Sequence, residues 1–142
     1  MKVIVDTVIW SLAFRRRMGN SVYQQELENL ITDGRVQLLA NVRQEVLSGI
    51  KHEEQFERLR LSLRAFPDMA LSTQDYELAA NFFNRCRRNG VQGANTDFLI
   101  CAAAVNHTCE IFTTDRDFSY FAEILPVSLH KFGSGLGNAP QG

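Results

Sequence analysis

Four acidic residues stand beside apolar segments of the chain, and these are Asp6, Glu45, Asp97 and Asp115. Asp6 directly follows the apolar run Val3–Val5, and Asp115 follows a second run at 110–113. Carboxylates gathered at one place repel one another unless a positive charge offsets the repulsion. Hard divalent cations such as Mg²⁺ and Mn²⁺ prefer oxygen ligands, and an ion held by acids can activate a water against a phosphodiester. The four acids are therefore candidates for a metal site.

Each acid on its own also has a simpler explanation. Acidic side chains are favoured at helix starts, where free N–H groups and the helix dipole stabilise them. Asp6, Asp97 and Asp115 each precede or open a helix-like segment. Asp117 competes with Asp115 for the cap of the last helix, and Glu45 also fits a solvated helix surface. The positions of the surrounding strands and helices decide whether these acids only cap helices or also form a shared site.

Short apolar runs alternate with helix-like segments along the chain. The predicted strands lie at 3–5, 36–39, 69–71, 110–113 and 126–129. The predicted helices lie at 8–14, 52–64, 73–88 and 118–122, with others starting near Ser21, Asn41 and Asn95. This alternation indicates an α/β sandwich with a mainly parallel sheet. Sites in open parallel sheets form at the carboxyl ends of the strands, so the four acids are expected along one edge.

Local signals also predict how several helices begin and which faces they bury. Ser21 and Asn41 have side chains typical of N-caps. Asn95 is expected to cap the helix that contains Asp97, which would leave the aspartate free for a metal. The helix at 73–88 is expected to pack through one set of side chains, which are Tyr76, Ala79, Ala80 and Phe83.

The composition is that of an ordinary soluble globular protein. Of 142 residues, 45% are hydrophobic and 22% are charged, which predicts a single domain at 1–132. The tail at 133–142 is rich in Gly and is expected to be flexible. The net charge of −1 means that a polyanion would have to be bound by local basic patches or through a cation.

Several features predict a cytoplasmic protein. No apolar run is long enough for a membrane span, and the N-terminus lacks the apolar stretch of a secretion signal. The three cysteines, Cys86, Cys101 and Cys109, form no C-x-x-C pair. Their odd number and spacing favour unpaired thiols in a reducing compartment over a disulfide framework or a zinc site.

Four motifs, taken in order, resemble those of a known family. They are VIVDT at the N-terminus, LLANVRQEVLSGI in the first third, NTDFLICAAA in the last third and IFTTDRDF just after it. The set resembles PIN-domain ribonucleases and, more narrowly, the VapC-type toxins of toxin–antitoxin pairs. The resemblance implies a PIN-like three-layer sandwich with a central, mainly parallel sheet. It also implies endoribonuclease activity that depends on Mg²⁺ or Mn²⁺.

The resemblance assigns roles to individual residues. It implies that Asp6, Asp97 and Asp115 hold the metal and that Glu45 completes the catalytic set. Supporting roles near the metal-bound water are implied for Thr7 and Thr114, and Asn95 is implied to shape the rim of the site. Asp117 is implied to reach the metal through water, either instead of Asp115 or beside it. No histidine base is required, so His52, His107 and His130 are expected to be surface or structural residues.

The resemblance also implies three kinds of partner: an RNA substrate, a cognate antitoxin protein and a second copy of the chain. An acidic pocket needs basic groups nearby to hold RNA. The candidates for phosphate contact are Arg15, Arg16, Arg17, Arg85, Arg87, Arg88 and Arg116. The same residues fit a solvated loop and a helix end stabilised by the helix dipole.

Three other interpretations compete with that of a toxin nuclease. A phosphatase with a strand-end aspartate nucleophile needs a second aspartate two residues later, and this chain has Val8 there. A PIN nuclease that processes RNA without being a toxin would have the same acids. A non-catalytic adaptor that binds RNA or protein on a PIN scaffold is disfavoured because all four acids are present.

Overall fold

The computed structural model describes residues 1–15 and 21–133, with Arg15 described in its backbone only. Strands and helices alternate within this part of the chain. In chain order, the elements are β1 (Val3–Val5), α1 (Thr7–Arg15), α2 (Val22–Thr32), β2 (Val36–Gln37), α3 (Ala40–Leu47), α4 (Glu53–Leu63), α5 (Thr73–Arg88), α6 (Asn95–Asn106), β3 (Glu110–Phe112) and α7 (Asp117–Ile124).

The three strands form a parallel sheet in the order β2-β1-β3. The central strand β1 is fully buried, with 0% of Val3, Ile4 and Val5 exposed. This burial agrees with its unbroken apolar sequence, because a parallel strand covered by helices is apolar on both faces. The predicted α/β fold with a parallel sheet is therefore confirmed.

Two predicted strands are reduced to single bridges. The bridge between Leu38 and Asp68 lies just before the segment at 69–71, and the segment at 126–129 contributes only the bridge between Ile111 and Leu129. Pro67 precedes the first segment and Pro126 begins the second, and the missing N–H of proline limits a ladder of hydrogen bonds. The prediction of full strands there was wrong.

The helix α6 passes through the core. Six of its residues are buried, namely Phe98 and those at 100–104, and it packs against α5, β1 and β3. Its three successive alanines at 102–104 leave room for this close approach. The three cysteines are buried and unpaired, as predicted.

The local helix predictions had mixed outcomes. Ser21 caps α2 through a 3.1 Å bond from the Gln24 N–H, as predicted. Asn41 does not cap α3, because the N-cap position is occupied by Leu39, two residues earlier. The buried face of α5 was predicted correctly only in part, because Ala79 and Phe83 pack against the core and Tyr76 and Ala80 do not.

The most buried side of α5 lies one residue away from Tyr76 and Ala80, which were predicted to be buried and are exposed. Tyr76 is 55% exposed, whereas Asp75, Phe82 and Cys86 are buried. A shift of one residue rotates a helix face by about 100°. The apolar pattern did not reveal it because a charged residue, Asp75, belongs to the buried side.

Gly93 is required for close packing between α6 and α7. A Cβ at this position would lie 2.6 Å from Cζ of Phe121 and 3.0 Å from Cε2 of Phe98. Gly93→Ala is therefore expected to lower the free energy of unfolding by about 1–3 kcal/mol, since overpacking displaces the rings. Urea unfolding measures this, with the exposed Gln92→Ala as control. Equal stability of the two variants would contradict the packing argument.

None of the helices in the described residues is long and apolar enough to cross a membrane. The tail predicted to be flexible lies, from residue 134 onward, outside the described residues.

Candidate active site

Asp6 is fixed at the carboxyl end of β1. Its backbone N–H donates to the carbonyl of Phe112 at 2.9 Å, which continues the pairing of β1 with β3. Its side chain is buried, and both oxygens accept hydrogen bonds. The Thr7 N–H donates to Oδ1 at 2.8 Å, and the Thr113 hydroxyl donates to Oδ2 at 2.7 Å. The carboxylate therefore has one defined orientation.

Thr113 links the first acid to the fourth. While its hydroxyl donates to Asp6, the same oxygen accepts the Asp115 N–H at 2.9 Å. The Asp115 carboxylate in turn accepts the Asp117 N–H at 2.9 Å, at the start of α7. Asp115 thus supports the helix entry and still lies beside Asp6, so capping and site membership do not exclude each other.

Glu45 reaches the same edge from α3. Its Oε1 accepts a 2.7 Å hydrogen bond from the hydroxyl of Thr7. Since the Thr7 N–H bonds to Asp6, this threonine connects the first acid to the second. The supporting position expected for Thr7 matches these contacts, and its role in catalysis stays a prediction.

Asp97 lies in the first turn of α6, but it is held differently from the expectation. The helix begins at Asn95 after an N-cap at Ala94, and Oδ2 of Asp97 accepts the Ala94 N–H at 3.1 Å. The prediction that Asn95 provides the cap was wrong, because the chain enters the helix one residue earlier. Oδ1 of Asp97 has no hydrogen-bond partner among the described residues.

The four acids act on one another electrostatically. Burial raises the pKa of Asp97 to about 6, despite the Ala94 N–H bond, and the charges of Asp6, Asp115 and Glu45 add to the rise. The pKa of Asp6 is also raised, first by burial and further by the charges of Asp115 and Glu45, although Thr113 and Thr7 oppose the shift. A bound cation would relieve this repulsion.

The donor chemistry fits a hard divalent cation, because all four groups are carboxylates and the charges of Asp115 and Glu45 help to raise the pKa of Asp6 and Asp97. The observed arrangement of the four side chains is less suited to an ion than their chemistry is. Within residues 1–15 and 21–133, no three His, Cys, Asp or Glu side chains are arranged to hold an ion. Asp115 and Glu45 are exposed, so their carboxylates have room to turn toward a cation.

Among the threonines near the site, the one that bonds to Asp6 is Thr113, one residue before the predicted Thr114. The role of Thr114 near the metal-bound water stays a prediction. The register explains the difference: Val5 pairs with Phe112, so the next residues on each strand, Asp6 and Thr113, face each other. Asp117 contributes its N–H to Asp115, and its charge is not among those that shift Asp6 or Asp97.

The basic residues fall into two groups. Arg85, Arg87 and Arg88 lie in the last turn of α5. The first two pack over the rings of Phe82 and Phe83. Arg116 is exposed between Asp115 and Asp117. Two candidates, Arg16 and Arg17, and the side chain of Arg15 lie outside the described residues.

A groove of about 490 Å³ also joins Glu45 to basic side chains that sequence reasoning had missed. Lys51, His52 and Arg58 line it together with Ser11 and Phe14 of α1. In the sequence, Lys51 and Arg58 are single charges in the α3–α4 turn and in α4, without the density of an arginine run. They nevertheless provide cationic groups beside the acidic edge.

Thr113→Val tests the link between Asp6 and Asp115. The substitution keeps the size of the side chain but removes the hydroxyl that fixes both residues. If the acids bind a catalytic ion, nuclease activity is expected to fall about 10–100-fold, the usual effect of losing a partner of a metal ligand. Steady-state cleavage assays measure it, with Thr32→Val as control, because Thr32 is an exposed threonine at the end of α2. Equal activity in both variants would contradict this role.

Comparisons with known proteins agree with the fold. Residues 3–124 match the family model described as PIN domain. VapBC2 from Rickettsia felis, bound to a DNA fragment from their promoter, has a TM-score of 0.76 and 19% identity, covering 93% of this chain and 99% of that one. FitAcB from Neisseria gonorrhoeae has a TM-score of 0.74 and 21% identity, covering 91% and 96%.

VapBC-5 from Mycobacterium tuberculosis, a member of the VapBC family of toxin–antitoxin systems, has a TM-score of 0.67 and 16% identity, covering 93% of this chain and 100% of that one. Among curated protein sequences, the comparison gives no match. At such identities the structural likeness establishes the fold.

Proposed function

Because the chain belongs to the PIN-domain family, whose members are nucleases, we propose that it is a metal-dependent endoribonuclease and the toxin of a toxin–antitoxin pair. The observation that carries this proposal is the group of four carboxylates at one edge of the sheet. Burial and mutual repulsion raise the pKa of two of them, Asp6 and Asp97. Such a group is unfavourable for a scaffold alone and is suited to a divalent cation.

In this proposal, Asp6, Asp97 and Asp115 hold Mg²⁺ or Mn²⁺, and Glu45 completes the site. A bound divalent ion there supplies an activated water and offsets the charge of the phosphate. Thr113 keeps Asp6 and Asp115 together, and Thr7 keeps Glu45 close to Asp6. The Ala94 N–H holds one oxygen of Asp97 and leaves the other for the ion.

Two of the histidines are engaged in other contacts. His107 bonds to Asp75, and His130 lies between Glu26 and Glu110. Both contacts support a structural role. His52 lines the groove that contains Glu45, where it can approach substrate phosphates together with Lys51 and Arg58. The four carboxylates remain the proposed catalytic groups.

The partners proposed are an RNA substrate, a cognate antitoxin and a second copy of the chain. The similar structures from Rickettsia felis and Mycobacterium tuberculosis are VapBC complexes, which supports an antitoxin partner here.

Cleavage of a mixed RNA pool by the purified chain tests the enzymatic part. RNA should be cut internally when Mg²⁺ or Mn²⁺ is added, and cutting should stop when a chelator removes the ion. A folded chain that never cuts RNA in the absence of antitoxin would support the adaptor instead. Growth arrest on expression in a bacterial host tests the toxin part, since a processing nuclease should not arrest growth.

A further inference from the structure

A second groove lies between α3, α5 and α6. It has a volume of about 570 Å³, within the range of pockets that hold small molecules. Its lining includes Asn41, Tyr76, Phe83, Asn84, Asn95 and Thr96. The part of the lining that the structure describes carries no charged side chain, in contrast to the groove that contains Glu45. We call it the Asn41 groove.

Asn41 is unusual in this groove. Both its amide nitrogen and its amide oxygen are covered from solvent, and neither has a hydrogen-bond partner among the described residues. Covered polar groups are nearly always paired, so an amide with an open donor and an open acceptor calls for an explanation. Capping does not provide one, because Asn41 is the second residue of α3 and the N-cap is Leu39.

The groove borders the acidic edge. Asn95 and Thr96, which line it, directly precede Asp97 in α6. Neighbouring Cα atoms are about 3.8 Å apart, so the groove begins within a few ångströms of the backbone that positions this acid. A polymer held at the carboxylates would therefore place an adjoining unit in or near the Asn41 groove.

We infer that the Asn41 groove takes one unpaired nucleobase of the RNA substrate, with the Asn41 amide, which is covered in the free chain, turning into the groove to pair with its edge and Tyr76 stacking on its face. This inference rests on the proposed ribonuclease function. Proteins read single-stranded RNA by stacking bases on aromatic rings and by hydrogen bonds to the base edges. Every base edge offers donors and acceptors, and an asparagine amide can meet one of each.

The charge and the aromatic residues of the groove favour a base over a phosphate. A phosphate would need cationic partners, and the described lining has none. Tyr76 is 55% exposed and so has a free ring face for stacking. Phe83 is less available, because its ring packs edge-on against Phe98 at 5.5 Å and lies under Arg87. Stacking on Tyr76 therefore accompanies hydrogen bonding to Asn41.

Binding of short RNA homopolymers tests this inference without depending on cleavage. Fluorescence anisotropy with hexamers of A, C, G and U is measured in chelator, which prevents hydrolysis. The wild-type chain is expected to bind one hexamer about 10-fold tighter than the others, as expected for a base read by hydrogen bonds. Asn41→Leu should lose this preference. Asn41→Asp, which replaces the donor by an acceptor, should change which base is preferred.

Tyr76 provides a second measurement on the same groove. Tyr76→Ala should weaken all four hexamers about 5-fold or more, because stacking depends little on base identity. Tyr76→Phe, which keeps the ring, should bind like wild type. Thermal unfolding of each variant checks that the fold is intact, and Asn41→Asp keeps the test decisive if Asn41→Leu does not fold.

Two results would overturn the inference. One is a base preference that both Asn41 variants leave unchanged. The other is a wild-type dimer, seen by light scattering, that Tyr76→Ala converts to a monomer, because a second copy of the chain would then occupy the groove. Failure of the proposed function looks different: no RNA would be cut with Mg²⁺ or Mn²⁺, whatever the hexamers show.

Discussion

Replacing Asp97 by asparagine is expected to lower metal-dependent RNA cleavage by about 100-fold or more while the fold stays intact. Loss of an outer partner of a metal ligand usually costs about 10–100-fold, and loss of a direct ligand should cost at least the upper value. The asparagine oxygen can still accept the Ala94 N–H, so the start of α6 is preserved. What disappears is the negative charge among Asp6, Asp115 and Glu45.

Stability gives this prediction a second readout. Because burial and three neighbouring carboxylates make the charge of Asp97 unfavourable, its removal in metal-free buffer should leave the melting temperature unchanged or higher. A residue that mattered only for helix capping would leave cleavage unchanged, because asparagine caps a helix about as well as aspartate. Lost activity without lost stability therefore separates a role in the site from a role in the fold.

Single-turnover cleavage with Mg²⁺ or Mn²⁺ is the appropriate measurement. Asp33→Asn is the matched control, since Asp33 is an exposed acid at the end of α2 and belongs to no part of the site. Wild type and Asp33→Asn should cleave at similar rates. Cleavage by Asp97→Asn at a comparable rate would remove Asp97 from the proposed metal ligands.

The sequence was sufficient to predict the sheet edge that carries the candidate site. Apolar strands that end in an acid identify carboxyl ends of strands, and parallel strands bring those ends together. The structure places Asp6 at the end of β1 and Asp115 shortly after β3, and their charges interact. The pattern of apolar runs is enough to predict this edge, because the direction of the strands alone decides where their carboxyl ends lie.

The contacts within the site were harder to predict because they depend on register and on helix starts. The role of Thr113 follows from the pairing of Val5 with Phe112, which no local pattern reveals. Ala94 rather than Asn95 precedes α6, so Asp97 became the capping side chain. A one-residue difference in a helix start is small for the fold but decides which side chain bonds to the backbone.

Tertiary contacts overrode local preference in α5. The apolar pattern favoured a buried Tyr76, but the structure buries Asp75 because α6 supplies partners for its charge. Sequence patterns treat a charged residue as solvated, and only a distant partner can reverse this. The same contact makes Asp75 the residue outside the candidate site with the largest expected effect on stability.

Asp75→Ala is expected to lower the free energy of unfolding at pH 7 by about 3 kcal/mol and the melting temperature by about 10 °C. Asp75 is only 1% exposed, and its carboxylate accepts hydrogen bonds from three residues. These are the Ser72 N–H at 2.9 Å, the Asn106 amide at 2.8 Å and His107 Nε2 at 3.1 Å. Alanine leaves these groups partly buried without a partner, and so loosens the start of α5 from the end of α6.

Chemical unfolding measures this loss of stability, with the exposed Glu54→Gln as control. Equal stability of Asp75→Ala and Glu54→Gln would contradict the prediction.

The pH dependence of stability tests whether the charge of Asp75 is responsible. Burial would raise its pKa, but the hydrogen bonds from Asn106, Ser72 and His107 outweigh burial and hold the pKa below its ordinary value of 3.8. A lowered native pKa contributes stability that is complete above the ordinary value and is lost as the pH falls through the native one. The difference in unfolding free energy between wild type and Asp75→Asn should therefore be constant above about pH 5 and shrink below about pH 4.

The variant His107→Gln, measured over the same pH range, separates the contribution of the imidazole. A difference that stays constant down to about pH 2 would mean that shape and hydrogen bonding, not charge, give Asp75 its effect.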